Sequence, residues 1–331
     1  PPVVSPVEWP AIVGYDKDGA DALSGIACGP AVGDRRACAI VDDEQRRVQF
    51  VTLEGRTIVL GPDMAVLDKE TTDPATGAKV VNKEADLEAV ARDGDVYWVM
   101  GSHGPKRHAD DGAKDCPPVP ARRHLYRFAV DGTTGRPTFP FDRRTAAKEI
   151  RRIDRLAEVL AKLEGLGPLV DAPICGDDGG FTLEGLAVGG GRMWLGVRAP
   201  LTPDRGAAFV VELDAEALAG SGDPKALPHR LPLGTGVGVR DMAWVGDGLL
   251  ILAGPSLSDD AGPAATSTVW FWAGAGNAPV ALAVLGGVPN GAKPEGMAVL
   301  DQGPAGWRVL VLSDGVVGGA PREYAIPRNR P

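Results

Sequence analysis

Short runs of apolar and β-branched residues recur along the chain between turns rich in Gly, Asp and Pro, for example VYWVMG at Val96–Gly101, LLILAG at Leu249–Gly254 and TVWFWAG at Thr268–Gly274. Runs this short, bounded by turn residues, predict strands. A second pattern is laid over the first. LEAVA at Leu87–Ala91, LEGLAV at Leu183–Val188 and PEGMAV at Pro294–Val299 are near copies of one phrase, and SGIA at Ser24–Ala27 and RDMA at Arg240–Ala243 are degenerate copies. The first positions, Ser24, Glu88, Glu184, Arg240 and Glu295, follow one another at intervals of 64, 96, 56 and 55 residues. The stretches before Ser24 and after Glu295 together supply about one more interval, so the period closes on itself.

After the clearest copies a Gly or Asp turn leads into a second apolar run, and a third and fourth follow, such as RRVQFVTL at Arg46–Leu53 and TIVLG at Thr57–Gly61. Four antiparallel strands per unit predict an all-β fold, a β-propeller of five blades, built from residues 1–331 as one domain. The N-terminal strand is expected to close the last blade. The 96-residue interval leaves room for a sixth blade. It also contains apolar residues at helical spacing, Ile150, Ile153, Leu156, Leu160 and Leu163, followed by Gly165, Gly167 and Pro168. That pattern predicts a helical insertion near 143–165, inside a connection spanning 136–175.

If the phrase opens each innermost strand, its first residue lies at one mouth of the central channel, and the antiparallel second strand returns to the same mouth. Strand starts then bring Ser24, Glu88, Glu184, Arg240, Asp241 and Glu295 together, and strand ends add Asp42, Ser102, His103, Arg198 and Asp314. Carboxylates crowded in this way raise one another's pKa unless a cation neutralises them. Two readings follow. In one the ring is structural, with Arg240 as its counter-ion, and the propeller is a non-enzymatic scaffold for a protein partner. In the other the mouth binds a small molecule. Glu88, Glu184, Glu295 and Asp241 then hold a Ca²⁺ ion, which favours several oxygen ligands. Arg198, Arg240, Ser102, Asp314 and Asp42 contact the substrate, and His103 in the turn GSHG moves a proton. That version is a Ca²⁺-assisted hydrolase of an ester, lactone or phosphoester.

A net charge of -9 argues against nucleic acid or an anionic membrane surface as partner. No window approaches the roughly 20 apolar residues of a spanning helix, so membrane insertion is not expected, and a monomer is. The sequence contains neither GxSxG, HExxH nor a Walker A loop. Two long segments rich in turn residues, 102–122 and 254–267, are expected on the same mouth as lids. Four cysteines occur without CxxC spacing: Cys28 and Cys38 fall on the first two strands of blade one, Cys116 and Cys175 in loops of the mouth. Paired as 28–38 and 116–175 they suit a periplasmic or secreted protein; as free thiols they suit a cytoplasmic one. A start at PPVVSP without Met fits a mature form whose export signal has been removed.

The set LEAVA…GSH, LEGLAV…GVRAP, VRDMAW…LILAGP and PEGMAV…VLSD, spread over Leu23 to Tyr324, resembles a bacterial family of propeller domains of unknown function. The resemblance implies the propeller and no particular reaction. A looser similarity to phytase-like esterase domains and calcium-dependent sugar lactonases rests on the Glu-Gly pairs. In the lactonases that glutamate is a metal ligand, which implies such a role for Glu184 and Glu295; Glu88 is followed by Ala, and Arg240 stands where a ligand would be.

Overall fold

The computed structural model describes residues 1–14, 21–72, 77–109, 115–141, 143–257 and 266–328. Two short strands, β1 (Val3–Val4) and β2 (Val7–Glu8), precede the blades. Blade one is β3 (Leu23–Val32), β4 (Arg35–Asp42), β5 (Arg47–Glu54) and β6 (Thr57–Ala65). A ribbon of β7 (Glu70–Thr72) and β8 (Lys79–Val81) leads to blade two: β9 (Leu87–Asp93), β10 (Val96–Gly101), β11 (Leu125–Ala129) and, after helix α1 (Arg143–Glu149), β12 (Arg151–Ile153). Helices α2 (Leu156–Leu160) and α3 (Gly167–Val170) cross to blade three, β13 (Thr182–Gly189), β14 (Arg192–Ala199), β15 (Ala208–Asp214) and β16 (Leu227–Leu231), with α4 (Ala215–Ala219) before the last. Blade four is β17 (Val237–Trp244), β18 (Leu249–Pro255), β19 (Thr268–Trp272) and β20 (Val280–Leu285). Blade five is β21 (Lys293–Gly303), β22 (Gly306–Asp314) and β23 (Arg322–Pro327), and β2 pairs antiparallel with β23 to complete it.

Five antiparallel four-stranded blades therefore form the propeller, and their innermost strands β3, β9, β13, β17 and β21 follow one another around the channel, with β21 next to β3. The N-terminal segment is fixed twice more: β1 pairs parallel with β20, and Trp9 Nε1 donates to Glu323 Oε2 at 3.1 Å.

The core is divided into five apolar wedges, one in each gap between neighbouring blades. Alternation along a strand produces this directly. On β4, Cys38 and Ile40 face the wedge shared with blade five, while Ala39 and Val41 face the wedge shared with blade two. Inner strands are buried on both faces, which is why small and apolar residues follow their one polar bulge position, as in GLAV of β13 and GMAVL of β21.

The continuous helix expected near 143–165 is broken. Arg151–Ile153 is extended and pairs with Leu125–Arg127, so the segment between α1 and α2 becomes the outer strand of blade two. Ile153, Leu156, Leu160 and Leu163 are all buried in the wedge between blades two and three, as helical spacing led one to expect. Burial of those positions is compatible with a strand followed by a short helix, and the unpaired edge of β11 decides in favour of the strand. The remaining length of the long interval goes to the loop after β10 and to the α2–α3 crossing, and among the described residues it contains no sixth blade. Both cysteine pairs, Cys28–Cys38 and Cys116–Cys175, are disulfides.

Candidate functional site

The pairing of first and second strands explains the repeated phrase. In every blade the ladder slips by one residue at the first position of the phrase: Leu23 and Gly25 face Asp42 and Val41, Leu87 and Ala89 face Gly101 and Met100, Leu183 and Gly185 face Val197 and Gly196, Val239 and Asp241 face Ala253 and Leu252, and Pro294 and Gly296 face Ser313 and Leu312. Ser24, Glu88, Glu184, Arg240 and Glu295 are thus the extra residues of five β-bulges, a device that re-aims a side chain out of the pleat. The small residue that follows is set by the closeness of the inner strands. A Cβ on Gly25 would lie 3.0 Å from the carbonyl oxygen of Glu88 and 3.1 Å from Cα of Ala89 on the next blade.

Blade four departs at this point, because Asp241 occupies the small position. Its Oδ1 accepts the Met242 amide at 2.8 Å and its Oδ2 the Met297 amide of blade five at 2.7 Å, and the Leu186 amide of blade three also donates to it. Asp241 was expected among metal ligands, but its oxygens are occupied by backbone donors, and it fastens three blades together.

Around blades three to five the ring is neutralised. Arg240 donates through one amino group to Glu184 Oε2 at 2.9 Å and Glu295 Oε1 at 2.6 Å, and through the other to the Pro255 carbonyl at 2.8 Å. Burial alone would depress the Arg240 guanidinium, yet Glu184 and Glu295 more than offset it, so its pKa lies above the ordinary arginine value. Arg198 pairs with the other oxygen of Glu184 at 2.7 Å, and Lys293 pairs with Asp314 Oδ2 at 2.7 Å. Glu184 and Glu295, expected to hold a cation, are held by arginine.

Around blades one and two the balance is reversed. Glu88 is 7% exposed and forms no hydrogen bond or ion pair with a described residue. Oxygens of Glu88, Asp43 and Asp86 lie within 4.8 Å of one another. Asp86, just before β9, has φ of 50°, pairs with Arg122 at 3.1 Å and accepts a hydrogen bond from Ser102 Oγ. Asp43, just after β4, has one buried oxygen without a partner, and its other oxygen is 3.8 Å from Arg107. Burial, then the repulsion of Asp86, Glu295, Asp314 and Asp42, pushes the Asp43 carboxyl up to about 8. Burial followed by the repulsion of Glu184, Asp86, Asp43 and Glu295 likewise raises Glu88 well above the usual carboxylate range.

The other expected site residues fall beside this cluster or beneath it. Asp42 is buried and caps the turn by accepting the Glu44 amide at 2.9 Å; Ser102 is buried and, besides donating to Asp86, accepts the Gly104 amide at 2.9 Å. His103 does not face the mouth. It is fully buried with φ of 57°, its Nδ1 lies 3.0 Å from the Gly101 carbonyl, and burial lowers its pKa to about 4. Its Nε2 is buried without a hydrogen-bond partner, so no described group stands within reach to exchange a proton with this enclosed ring. Asp43 and Asp86 were missed by sequence reasoning because both lie one residue outside a strand.

A cavity of about 570 Å³ opens at the same mouth over blades three to five. Among the described residues its wall holds Arg107, Arg198, Arg240 and Lys293 against a single acid, Asp177, with Ser256, Ser267 and Asn290 as neutral polar groups. Arg198 also carries a buried Nε–H without an acceptor. The loop after β10 reaches this cavity because Gly176 and Asp177 donate to the carbonyls of Lys106 and Arg107, at 2.9 and 3.3 Å, beside the Cys116–Cys175 disulfide. Residues 110–114 and 258–265 of the two segments expected to act as lids lie outside the described residues.

A family model described as "Protein of unknown function (DUF3616)" matches residues 39–319. No curated protein matches the chain. Among solved structures the chain is similar to a GH43 endo-arabinanase from Bacillus licheniformis, with 11% identity over 93% of this chain and 94% of that one and a TM-score of 0.44. It is also similar to the native arabinanase from Bacillus subtilis, with 8% identity over 96% of both chains and a TM-score of 0.46. A third is an exo-β-1,3-galactanase from Phanerochaete chrysosporium, at 10% identity and a TM-score of 0.46; the match covers 99% of this chain, which spans only 64% of the galactanase.

Proposed function

The chain belongs to the DUF3616 family, and we propose that it is a small-molecule-binding propeller whose mouth takes a ligand carrying a carboxylate or phosphate group. One observation carries the reading: in a protein of net charge -9, the described residues in the walls of a cavity of about 570 Å³ include four cationic side chains against one acid. A pocket of this volume suits a small organic molecule. Arg198 is its anchor, since its free Nε–H sits next to a guanidinium nitrogen already fixed by Glu184. The reaction class we attach to this pocket is hydrolysis of an ester, lactone or phosphoester. Such reactions develop negative charge on oxygen, which a preorganised cationic wall stabilises. Two disulfides support work in an oxidising compartment, periplasmic or secreted.

The test is titration with inorganic phosphate, acetate and a neutral sugar, followed by calorimetry and thermal unfolding, on the native chain and on Arg198→Gln. Phosphate or acetate is expected to bind and raise the unfolding temperature, the sugar is not, and the variant is expected to lose the effect. Anions that bind both proteins alike, or neither, overturn the reading and favour the scaffold for a protein partner. A screen against nitrophenyl phosphate, nitrophenyl acetate and simple lactones then tests hydrolysis.

A further inference from the structure

The uncompensated half of the ring carries an inference of its own. We propose that Asp43, Asp86 and Glu88 are the ligands of a hard divalent cation of calcium-like size, bound where blades one and two meet at the channel mouth.

The cluster alone would not justify this, since acidic groups often gather without an ion. Two independent observations do. Glu88 is 7% exposed and has no hydrogen bond or ion pair with any described residue. Asp43 has a separate oxygen that is buried and lacks a partner. Polar groups withdrawn from water without partners are costly, and charged ones more so. Glu184 and Glu295 occupy the same bulge position, and each is given a guanidinium. Glu88 is given none.

Nearby cations do not close the gap. Arg122 is shared between Asp86, Glu84 and the Pro105 carbonyl, and Arg107 stands 3.8 Å from Asp43 with its side chain largely in solvent. Three carboxylates with oxygens within 4.8 Å of one another repel, and of the two arginines only Arg122 makes a close pair, with Asp86. A divalent ion relieves the same repulsion.

The donor set selects the class of ion. All three ligands are carboxylate oxygens, without His or Cys, which suits calcium, magnesium or manganese rather than softer metals. Oxygens on Ca²⁺ sit about 2.4 Å from the ion and span up to about 4.8 Å across it, whereas on Mg²⁺ the span is about 4.2 Å. Three carboxylates drawn from two turns and a bulge, with oxygens within 4.8 Å of one another, suit the flexible coordination of Ca²⁺ better than the near-ideal octahedron that Mg²⁺ demands. The site differs from the four-residue set expected from sequence: of Glu88, Glu184, Glu295 and Asp241, only Glu88 belongs to it. It is also separate from the anion cavity, although Arg107 reaches both. An ion here would put a polarised water at the mouth where the anion binds.

The test uses the whole chain, stripped with EDTA and titrated with Ca²⁺ alone or Mg²⁺ alone. Bound ion is counted by equilibrium dialysis, and unfolding temperature is followed in parallel. One Ca²⁺ per chain is expected, with a rise in unfolding temperature. Glu88→Gln should weaken Ca²⁺ binding by more than about tenfold. It should also fold, because removal of one repelling charge raises the stability of the ion-free protein. Glu184→Gln should keep Ca²⁺. The proposal is overturned if Ca²⁺ at millimolar concentration leaves the native chain unbound, in which case shared protons relieve the carboxylates, or if Glu88→Gln binds it as well as the native chain. Tighter binding of Mg²⁺ than Ca²⁺ overturns the assignment of size. Phosphate binding, measured on the same samples, stands or falls separately.

Discussion

Two halves of one ring use the same backbone device to opposite effect. In blades three to five the bulge residues Glu184, Arg240 and Glu295 alternate in sign and bond to one another; in blades one and two the bulge residues are Ser24 and Glu88, and acids of the adjoining turns crowd in. The first half resembles a keystone and the second a vacancy in charge. The bulge fixes where a side chain goes, while the partner it meets is decided by residue choice on another blade, 55 or 56 positions away. One arginine in place of a glutamate thus separates a charge-paired sector from an unpaired one.

Removal of that arginine should break the contrast most completely. Arg240→Gln leaves Glu184 and Glu295 facing each other in a buried site, and a loss of about 3–5 kcal/mol is expected from the midpoint of urea unfolding.

A pH series tests the raised carboxyls on both sides, because burial pushes Glu295 up to about 8 despite Arg240 and pushes Asp43 up to about 8 as well. His103, lowered to about 4, favours the folded state at high pH; that contribution is lost as pH falls from about 6.5. Asp43, raised to about 8, works in the other direction: its contribution is complete below about 3.9 and is lost as pH rises through 8. The two oppose each other below about pH 6.5. Above it Asp43 acts together with Glu295, raised to about 8, and with Glu88, also raised, so the ion-free protein should lose stability from about pH 6.5 to 8, and Asp43→Asn should make that fall shallower without abolishing it. A native curve that is already flat over this window would contradict a carboxyl raised so far.

Glu88→Gln should stabilise the ion-free chain, because it removes a buried group that Asp86 and Asp43 repel, where Glu184→Gln destabilises it. Equal signs for the two, in parallel urea melts, would erase the difference between the halves. The smallest effect is expected of Arg107→Gln. Its exposed pair with Asp43 is worth about 0–1 kcal/mol, so stability should hardly move while phosphate affinity falls a few-fold.

The propeller was legible in the chain because each bulge needs one aimed residue followed by one small residue, a local demand that leaves a local trace. Glu88, Glu184, Arg240 and Glu295 could be placed at the mouth for that reason. Their partners could not. Whether a glutamate meets an arginine depends on side-chain reach across a channel, and Asp43 and Asp86 sit in turns, where acids are common for reasons of turn geometry alone. His103 was misjudged because flanking glycines suggest an exposed turn, whereas the peptide at His103 is tied to the Arg122 carbonyl and the ring is covered. The helix near 143–165 was misjudged in the same manner: Ile153 and Leu156 are apolar at helical spacing, but the free edge of β11 lies more than twenty residues upstream.

The pairing of β2 with β23 has a consequence for how the molecule comes to be made. Residues near position 8 leave the ribosome well before those near 322 and find their partner only when these have followed, so the last blade is stitched from segments 314 positions apart. Until that moment the first four blades form an open arc with two bare flanks. Contacts of such long sequence separation are slow to form. Closure is therefore a late event that all five wedges await, and a nascent chain halted before β23 presents its unfinished arc to every chaperone, and every other unfinished copy, in its vicinity.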